Sequence, residues 1–106
     1  MDNPTPCGSL TIAADHPAFA GHFPGAPVLP GVVLLDSALR ALRDAGALPA
    51  GPFRIASAKF FRPVAPGAAL EIRHRPAPRG AVEFEIVAGD GRVAVGTFQP
   101  CAEVVA

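Results

Sequence analysis

The stretch Gly21-His22-Phe23-Pro24-Gly25-Ala26-Pro27-Val28-Leu29-Pro30-Gly31 decides the fold, because it leads directly into an apolar helix. Pro24 restricts the backbone after His22, and the glycines on either side permit tight turns, so this loop can hold one imidazole ring in place. A histidine suits proton transfer near neutral pH, because its ordinary pKa lies close to neutrality. An unspecialised surface-loop histidine is the alternative, and the residues of the loop alone leave it open.

The sequence predicts one long helix over residues 30–45. Pro30 fits its first position, and Gly46, followed by Pro49, fits its C-terminal end. The first two turns are apolar almost all round, which predicts a buried helix. Asp36 interrupts them, and a buried carboxyl group that takes up a proton can act as a general acid. An exposed ion pair between Asp36 and Arg40, one turn later, is an equally good interpretation.

Gly31, at the start of the helix, is the third candidate for chemistry. Its N–H group has no acceptor within the helix, and the helix dipole adds positive potential there. Such a donor can hold a carbonyl oxygen that becomes an enolate oxygen. A glycine needed only for a tight turn is the alternative.

The rest of the chain alternates apolar and polar residues with a period of two. We predict strands over residues 7–14, 53–61, 70–75, 81–88 and 92–98, with a hairpin turn at 89–91 and a possible edge over 99–106. The order of strand, helix and four strands lacks βαβ alternation. It predicts an α+β fold in which a curved, mainly antiparallel sheet wraps one central helix, as a single domain over residues 1–106.

Composition narrows the function classes. The formal net charge is zero and no Lys/Arg run occurs, which disfavours a nucleic-acid binder. Neither a metal-ligand cluster nor a phosphate-binding glycine motif is present, so no metal or cofactor is predicted. No signal peptide or membrane-spanning apolar run is visible, which predicts a soluble, cytoplasmic protein. Cys7 and Cys101 are expected to be reduced thiols, with a disulfide between the two terminal strands as the alternative.

Two motifs resemble those of a known family. The segment 21–32, with an acid fourteen residues after His22, is similar to the hotdog-fold 3-hydroxyacyl-[acyl-carrier-protein] dehydratases of fatty acid synthesis. Lys59-Phe60-Phe61-Arg62-Pro63-Val64, followed by Pro66-Gly67, resembles a strand and turn of the same family, in the same order. The resemblance implies a hotdog fold and cofactor-independent removal of water from a 3-hydroxyacyl thioester, in fatty acid or polyene-type synthesis.

The resemblance also assigns roles. It implies that His22 is the base, that Asp36 is the acid, and that the Gly31 N–H group binds the thioester carbonyl. It implies a homodimer in which His22 of one subunit faces Asp36 of the other, and an acyl carrier protein as partner. The other implied positions are substrate-binding Phe23, Val32 and Arg40, and carrier-binding Arg62 and Arg73.

Departures from the family pattern keep alternatives open. The family often has a glutamine one turn after the acid, where this chain has Arg40, and the chain is shorter than typical members. Both departures motivate a catalytically silent hotdog subunit that binds an acyl carrier or an active paralogue. A hotdog thioesterase is a further alternative, against which the loop around His22 argues.

Overall fold

The computed structural model describes residues 5–11, 30–65, 67–89 and 91–101. In chain order its elements are β1 (Thr5–Thr11), α1 (Gly31–Asp44), β2 (Phe53–Phe60), β3 (Ala69–Pro76), a 3-10 turn (Pro78–Gly80), β4 (Val82–Ala88) and β5 (Gly91–Pro100). This order confirms the α+β prediction. No helix in the described ranges has the length and apolar character needed to cross a bilayer.

The ends of α1 follow from its flanking residues. Pro30 is extended, with φ −60° and ψ 143°, so it precedes the helix instead of occupying the predicted first position. At the other end, Gly46 has φ +74°, which favours glycine. The N–H groups of Gly46 and Ala47 donate to the carbonyls of Arg43 and Leu42 at 3.0 and 2.8 Å. This Schellman arrangement confirms the predicted C-terminal role of Gly46.

The five strands form one antiparallel sheet in the order β1-β3-β4-β5-β2. The predicted β4–β5 hairpin is confirmed, because Ala88 pairs with Gly91 across it. The expectation of an edge after residue 98 is wrong for Gln99 and Pro100, which pair with β2. β5 is therefore an inner strand, and the edges are β1 and β2.

The core lies between α1 and one face of the sheet. Helix residues spaced by four face it, since positions i, i+4 and i+8 share one side of a helix. On β3 and β4 the predicted apolar faces are confirmed, with Ile72 opposite Ile86. The buried cluster comprises Leu34, Ala38, Leu42, Leu48, Val64, Leu70, Ile72, Val82, Phe84, Ile86, Val93, Ala94 and Phe98.

The prediction that the first two turns of α1 are buried all round is wrong for the single chain. Val32 is 70% exposed, Asp36 is also exposed, and of the first two turns only Leu34 is fully buried. The described sheet covers one side of the helix, so the opposite side faces outward. An apolar residue such as Val32 on that side is available to a second surface.

The two cysteines are both free. Strands β3 and β4 lie between β1 and β5, so three strand spacings of about 4.8 Å put the two strands about 14 Å apart. A disulfide needs Cα atoms within about 7 Å. The alternative of a disulfide between these strands is therefore wrong.

The thiols should differ in reactivity. Cys7 is half-buried in β1, and burial raises the pKa of its thiol, whereas Cys101 is exposed. The thiolate is the nucleophile, so iodoacetamide should alkylate Cys101 at least about tenfold faster than Cys7 near pH 8. Peptide mass spectrometry after a short pulse measures both rates. Equal alkylation rates for the two thiols in the folded protein would contradict the half-buried position of Cys7.

Candidate active site

An apolar groove opens at the start of α1. One wall is the first turn of the helix, and the other is the segment that follows β2. Gly31, the predicted donor, is one of the lining residues, and its N–H group lacks an intrahelical acceptor because it belongs to the first turn. The lining residues are Gly31, Leu34, Phe60, Phe61, Arg62, Pro63 and Val64.

The second family-like motif builds the far wall of the groove. Phe60 ends β2 opposite Ala94, and the next N–H group, of Phe61, donates to Val93 O at 2.8 Å. The side chain of Val64 is buried in the core. The motif therefore turns away from the sheet at the point where the helix begins, which brings the two motifs together.

Asp36 and Arg40 form an ion pair on the exposed side of α1. Arg40 Nε lies 3.0 Å from Asp36 Oδ2, and their side chains are 77% and 54% exposed, respectively. In the isolated chain, the i,i+4 pairing is therefore the interpretation that the structure favours over a buried acid. Exposed helical pairs contribute only about 0.3–0.5 kcal/mol, so this pair opens at low cost.

Val32, Asp36 and Arg40 share one side of the helix, because they are spaced by four residues. All three are exposed. The predicted acid and two predicted substrate-binding positions thus form one outward-facing stripe that begins beside Gly31. This stripe is separate from the Leu34–Ala38–Leu42 side, which packs in the core.

His22 and Phe23 fall within residues 12–29, outside the described residues. Their assignments as base and substrate contact remain predictions. Within the described part of the chain, no group of three or more His, Cys, Asp or Glu side chains is arranged to hold a metal ion.

The structure separates the two predicted carrier-binding arginines. Arg62 donates from Nη2 to the carbonyls of Ala88 and Gly91, at 2.5 and 3.1 Å, and so joins the segment after β2 to the β4–β5 turn. Arg73 lies on the face of the sheet away from the helix. There it contacts the carboxylates of Glu71 at 2.7 Å and Glu85 at 3.6 Å.

Two contacts at the groove were missed by sequence reasoning. The ring of Phe60 faces the backbone of Gly31, and the guanidinium of Arg92 lies 4.9 Å from the ring centre of Phe61. The motif around Phe60 identified its own residues as important but did not predict which residues they contact. Those partners come from other elements, which only the tertiary fold brings near.

Comparison with known proteins identifies a family and a fold. A sequence model of the ApeI-like family, described as ApeI dehydratase, matches residues 2–97. A 3-hydroxyacyl-[acyl-carrier-protein] dehydratase FabZ from Sodalis glossinidius is 37% identical over 103 residues, which cover 86% of this chain and 68% of that protein. The FabZ of Klebsiella pneumoniae is 35% identical with the same coverage.

Solved structures share the fold. The dehydratase heterocomplex ApeI:P from Xenorhabdus doucetiae matches with a TM-score of 0.74 and 22% identity, over 95% of this chain and 100% of that chain. An uncharacterized protein from Erwinia carotovora subsp. atroseptica matches with a TM-score of 0.66 and 22% identity, over 92% and 95% of the two chains. The predicted hotdog fold is thereby confirmed.

Proposed function

The chain belongs to the ApeI-like dehydratase family, and from that premise we propose that it removes water from a 3-hydroxyacyl thioester to give the trans-2-enoyl thioester. The observation that carries the proposal is the start of α1, where Gly31, whose N–H group has no acceptor within the helix, lines an apolar groove. The groove suits an acyl or thioester arm, and the helix terminus suits its carbonyl oxygen.

The proposed reaction divides among three residues. His22 removes a proton from C2 of the substrate, and the Gly31 N–H group stabilises the oxygen on which negative charge develops. Asp36 gives a proton to the C3 hydroxyl group, which leaves as water. The substrate loses a proton from C2 and a hydroxyl group from C3, which together equal one water, so no external reductant or oxidant is needed. The step leaves His22 protonated and Asp36 ionised, and one proton must return from His22 to Asp36, directly or through solvent, before the next turnover.

Asp36 must carry a proton to act as the acid. In the single chain its side chain is exposed and paired with Arg40. A second subunit that covers the outward stripe would remove water from around the carboxyl group and favour its neutral form. The exposure of Asp36 therefore supports a site that is completed only in an assembly.

Strand β2 supports the same assembly. It is an edge strand, every residue after Phe53 is exposed, and Ile55 and Phe60 are 48% and 46% exposed. An edge with unpaired N–H and C=O groups and exposed apolar side chains is suited to pairing with another strand. We propose a homodimer in which His22 of one subunit meets Asp36 of the other.

The direct test is an assay with a 3-hydroxyacyl group on carrier protein or on coenzyme A. Intact-mass measurement should show the acyl arm lighter by the mass of one water, in the presence of the purified protein alone. The reverse hydration should occur from the enoyl thioester. If no change occurs in either direction across acyl chain lengths, the proposal fails, whereas release of free thiol would point to a thioesterase.

We propose that the carrier protein docks near Arg62, with Arg73 as a more distant contact. Arg62 lines the groove, and among the described residues its hydrogen bonds are to the neutral carbonyls of Ala88 and Gly91. Arg73 instead shares its charge with Glu71 and Glu85. An acidic carrier surface should therefore depend more on Arg62 than on Arg73.

Two substitutions at Arg62 separate its charge from its hydrogen bonds. Arg62→Gln should raise the KM for a carrier-linked substrate by about fivefold, whereas Arg62→Lys should stay within about twofold, because lysine keeps the charge. Both should lower the thermal stability, since neither reproduces the two bonds to the β4–β5 turn. Arg73→Gln should have the smaller effect on KM. Equal KM values for the Gln and Lys variants would refute charge-based docking.

A catalytically silent subunit is the second candidate, and the Asp36–Arg40 pair is the observation that favours it. The structurally similar ApeI:P assembly is described as a dehydratase heterocomplex. If this chain is silent, it should be inactive alone and elute from size-exclusion chromatography with a second, different hotdog chain when the two are co-expressed. Turnover by the purified single chain excludes this role.

A further inference from the structure

Gly31 does not need to be glycine for its backbone conformation. The described glycines with positive φ are Gly46, Gly51, Gly67, Gly80 and Gly89. Gly31 is not among them, and it is the first residue of a regular helix. Most residues adopt that conformation without strain, so the reason for glycine must be space.

The space at Gly31 is occupied by the ring of Phe60. A Cβ atom built on Gly31 would lie 2.8 Å from Cζ, 3.0 Å from Cε1 and 3.3 Å from Cε2 of Phe60. The far end of the ring thus points at the Gly31 Cα atom. Carbon atoms pack favourably at about 3.5–4.0 Å, so any side chain at this position must displace the ring.

The backbone just before and just after Phe60 is bonded to β5. Lys59 and Phe60 pair with Val95 and Ala94 of β5, and the Phe61 N–H group donates to Val93 O. β2 therefore fixes the Cβ end of the Phe60 side chain, and the far end of the ring contacts the helix. At 46% exposure the ring also borders the groove, so it can transmit the position of the sheet to the first turn of α1.

We propose that Phe60 is a positioning residue for the Gly31 N–H group, and this inference rests on the proposed function. Its ring packs against the Gly31 Cα atom and sets how close the first turn of α1 lies to β2. It acts through Gly31 and takes no part in the chemical step. Stabilisation of a developing oxyanion depends on donor placement, so a shift of a few tenths of an ångström at Gly31 lowers turnover.

A double-substitution cycle tests the pair. Gly31→Ala should lower kcat by about 30-fold, with KM within about threefold, because the displaced contact moves an oxyanion donor. Phe60→Leu should lower kcat by about fivefold, and this factor should be the same for substrates of every acyl chain length. Leucine is shorter and makes room for the added methyl group. The double variant should therefore lie within about threefold of Phe60→Leu alone, far from the product of the single effects.

Phe61 supplies the matched control cycle. It is also aromatic, 45% exposed and part of the groove wall, but its ring lies under Arg92. Whatever effect Phe61→Leu has alone, it should multiply with that of Gly31→Ala. Two results overturn the inference. In the first, Gly31→Ala lowers kcat as much in the Phe60→Leu background as in the wild type. In the second, the effect of Phe60→Leu is confined to KM or to particular acyl chain lengths, which would make the ring only a wall of the groove.

Urea unfolding should be measured for the wild type, Gly31→Ala, Phe60→Leu and the double variant. Coupling between Gly31 and Phe60 should appear in the unfolding free energies as well, since the contact exists in the folded chain without substrate. If wild-type protein shows no turnover, the proposed function fails, and the urea cycle still decides whether the ring sets the position of the first turn. Absence of coupling in the urea cycle overturns the inference by itself.

Discussion

Replacement of His22 by alanine is expected to lower the dehydration rate by about 10²- to 10⁴-fold, the usual contribution of a positioned general base. The reason is chemical: a proton at C2 of a thioester is weakly acidic, and alanine offers no group to accept it. The kcat/KM for a carrier-linked 3-hydroxyacyl substrate measures the loss. His74→Gln is the control, because His74 lies half-buried on β3, paired with Phe84 and away from the groove.

Mixing inactive variants tests whether the site is shared. In a dimer of one His22→Ala chain and one Asp36→Asn chain, one site has both wild-type residues and the other has neither. Random exchange makes half of the dimers hybrids, so about a quarter of wild-type activity should return. If His22 and Asp36 of the same chain form each site, no activity returns on mixing. Recovery near zero with both variants folded and dimeric would therefore refute the shared site.

Asp36→Asn is expected to lower turnover by about 10²- to 10³-fold, because the amide cannot give a proton to the leaving hydroxyl group. KM should change little, since the amide is nearly isosteric with the acid. Stability should also change little, because the pair with Arg40 is exposed and contributes at most about 0.5 kcal/mol. Turnover and urea unfolding of the same preparation measure both quantities.

Asp44→Asn is the matched control for Asp36→Asn. Asp44 is an exposed carboxylate on the same helix, in its last turn and distant in sequence from the groove. It should retain wild-type turnover. Similar losses from both substitutions would show that the helix carboxylates matter only for general electrostatics, and full activity of Asp36→Asn would remove the acid from the mechanism.

Local sequence signals predicted the elements of the fold well. Pro30 marks the helix start because its fixed φ and missing N–H group suit that position, and Gly46 marks the end because glycine readily adopts the positive φ found there. The alternation in 81–88 predicts a strand with one buried face. The order of strands was beyond these signals. Each strand reports which face is buried but not which strand lies beside it, so an edge was expected over residues 99–106, whereas Gln99 and Pro100 belong to the inner strand β5 and β2 lies outside it.

The sequence predicted which residues form the candidate site but not which residues surround them. Gly31 was identified from its place at a helix start, which is a local property. Its contact with Phe60 depends on two elements separated along the chain, and the bonds of Arg62 to the β4–β5 turn span 26 and 29 residues. The sequence left Asp36 open between a buried acid and an exposed pair with Arg40, because apolar neighbours indicate burial without saying whether the same chain supplies the cover.

The strand order also has a consequence for synthesis on the ribosome. β2 finds its described partner only in β5, where Phe53 pairs with Pro100, so most of the remaining chain must be made before β2 can pair. Until then its apolar side chains have no sheet to join, while β3, β4 and β5 can form a meander from neighbouring segments. The nascent chain is therefore expected to expose the apolar side chains of β2 until β5 has been made, which is the stage at which aggregation competes most with folding.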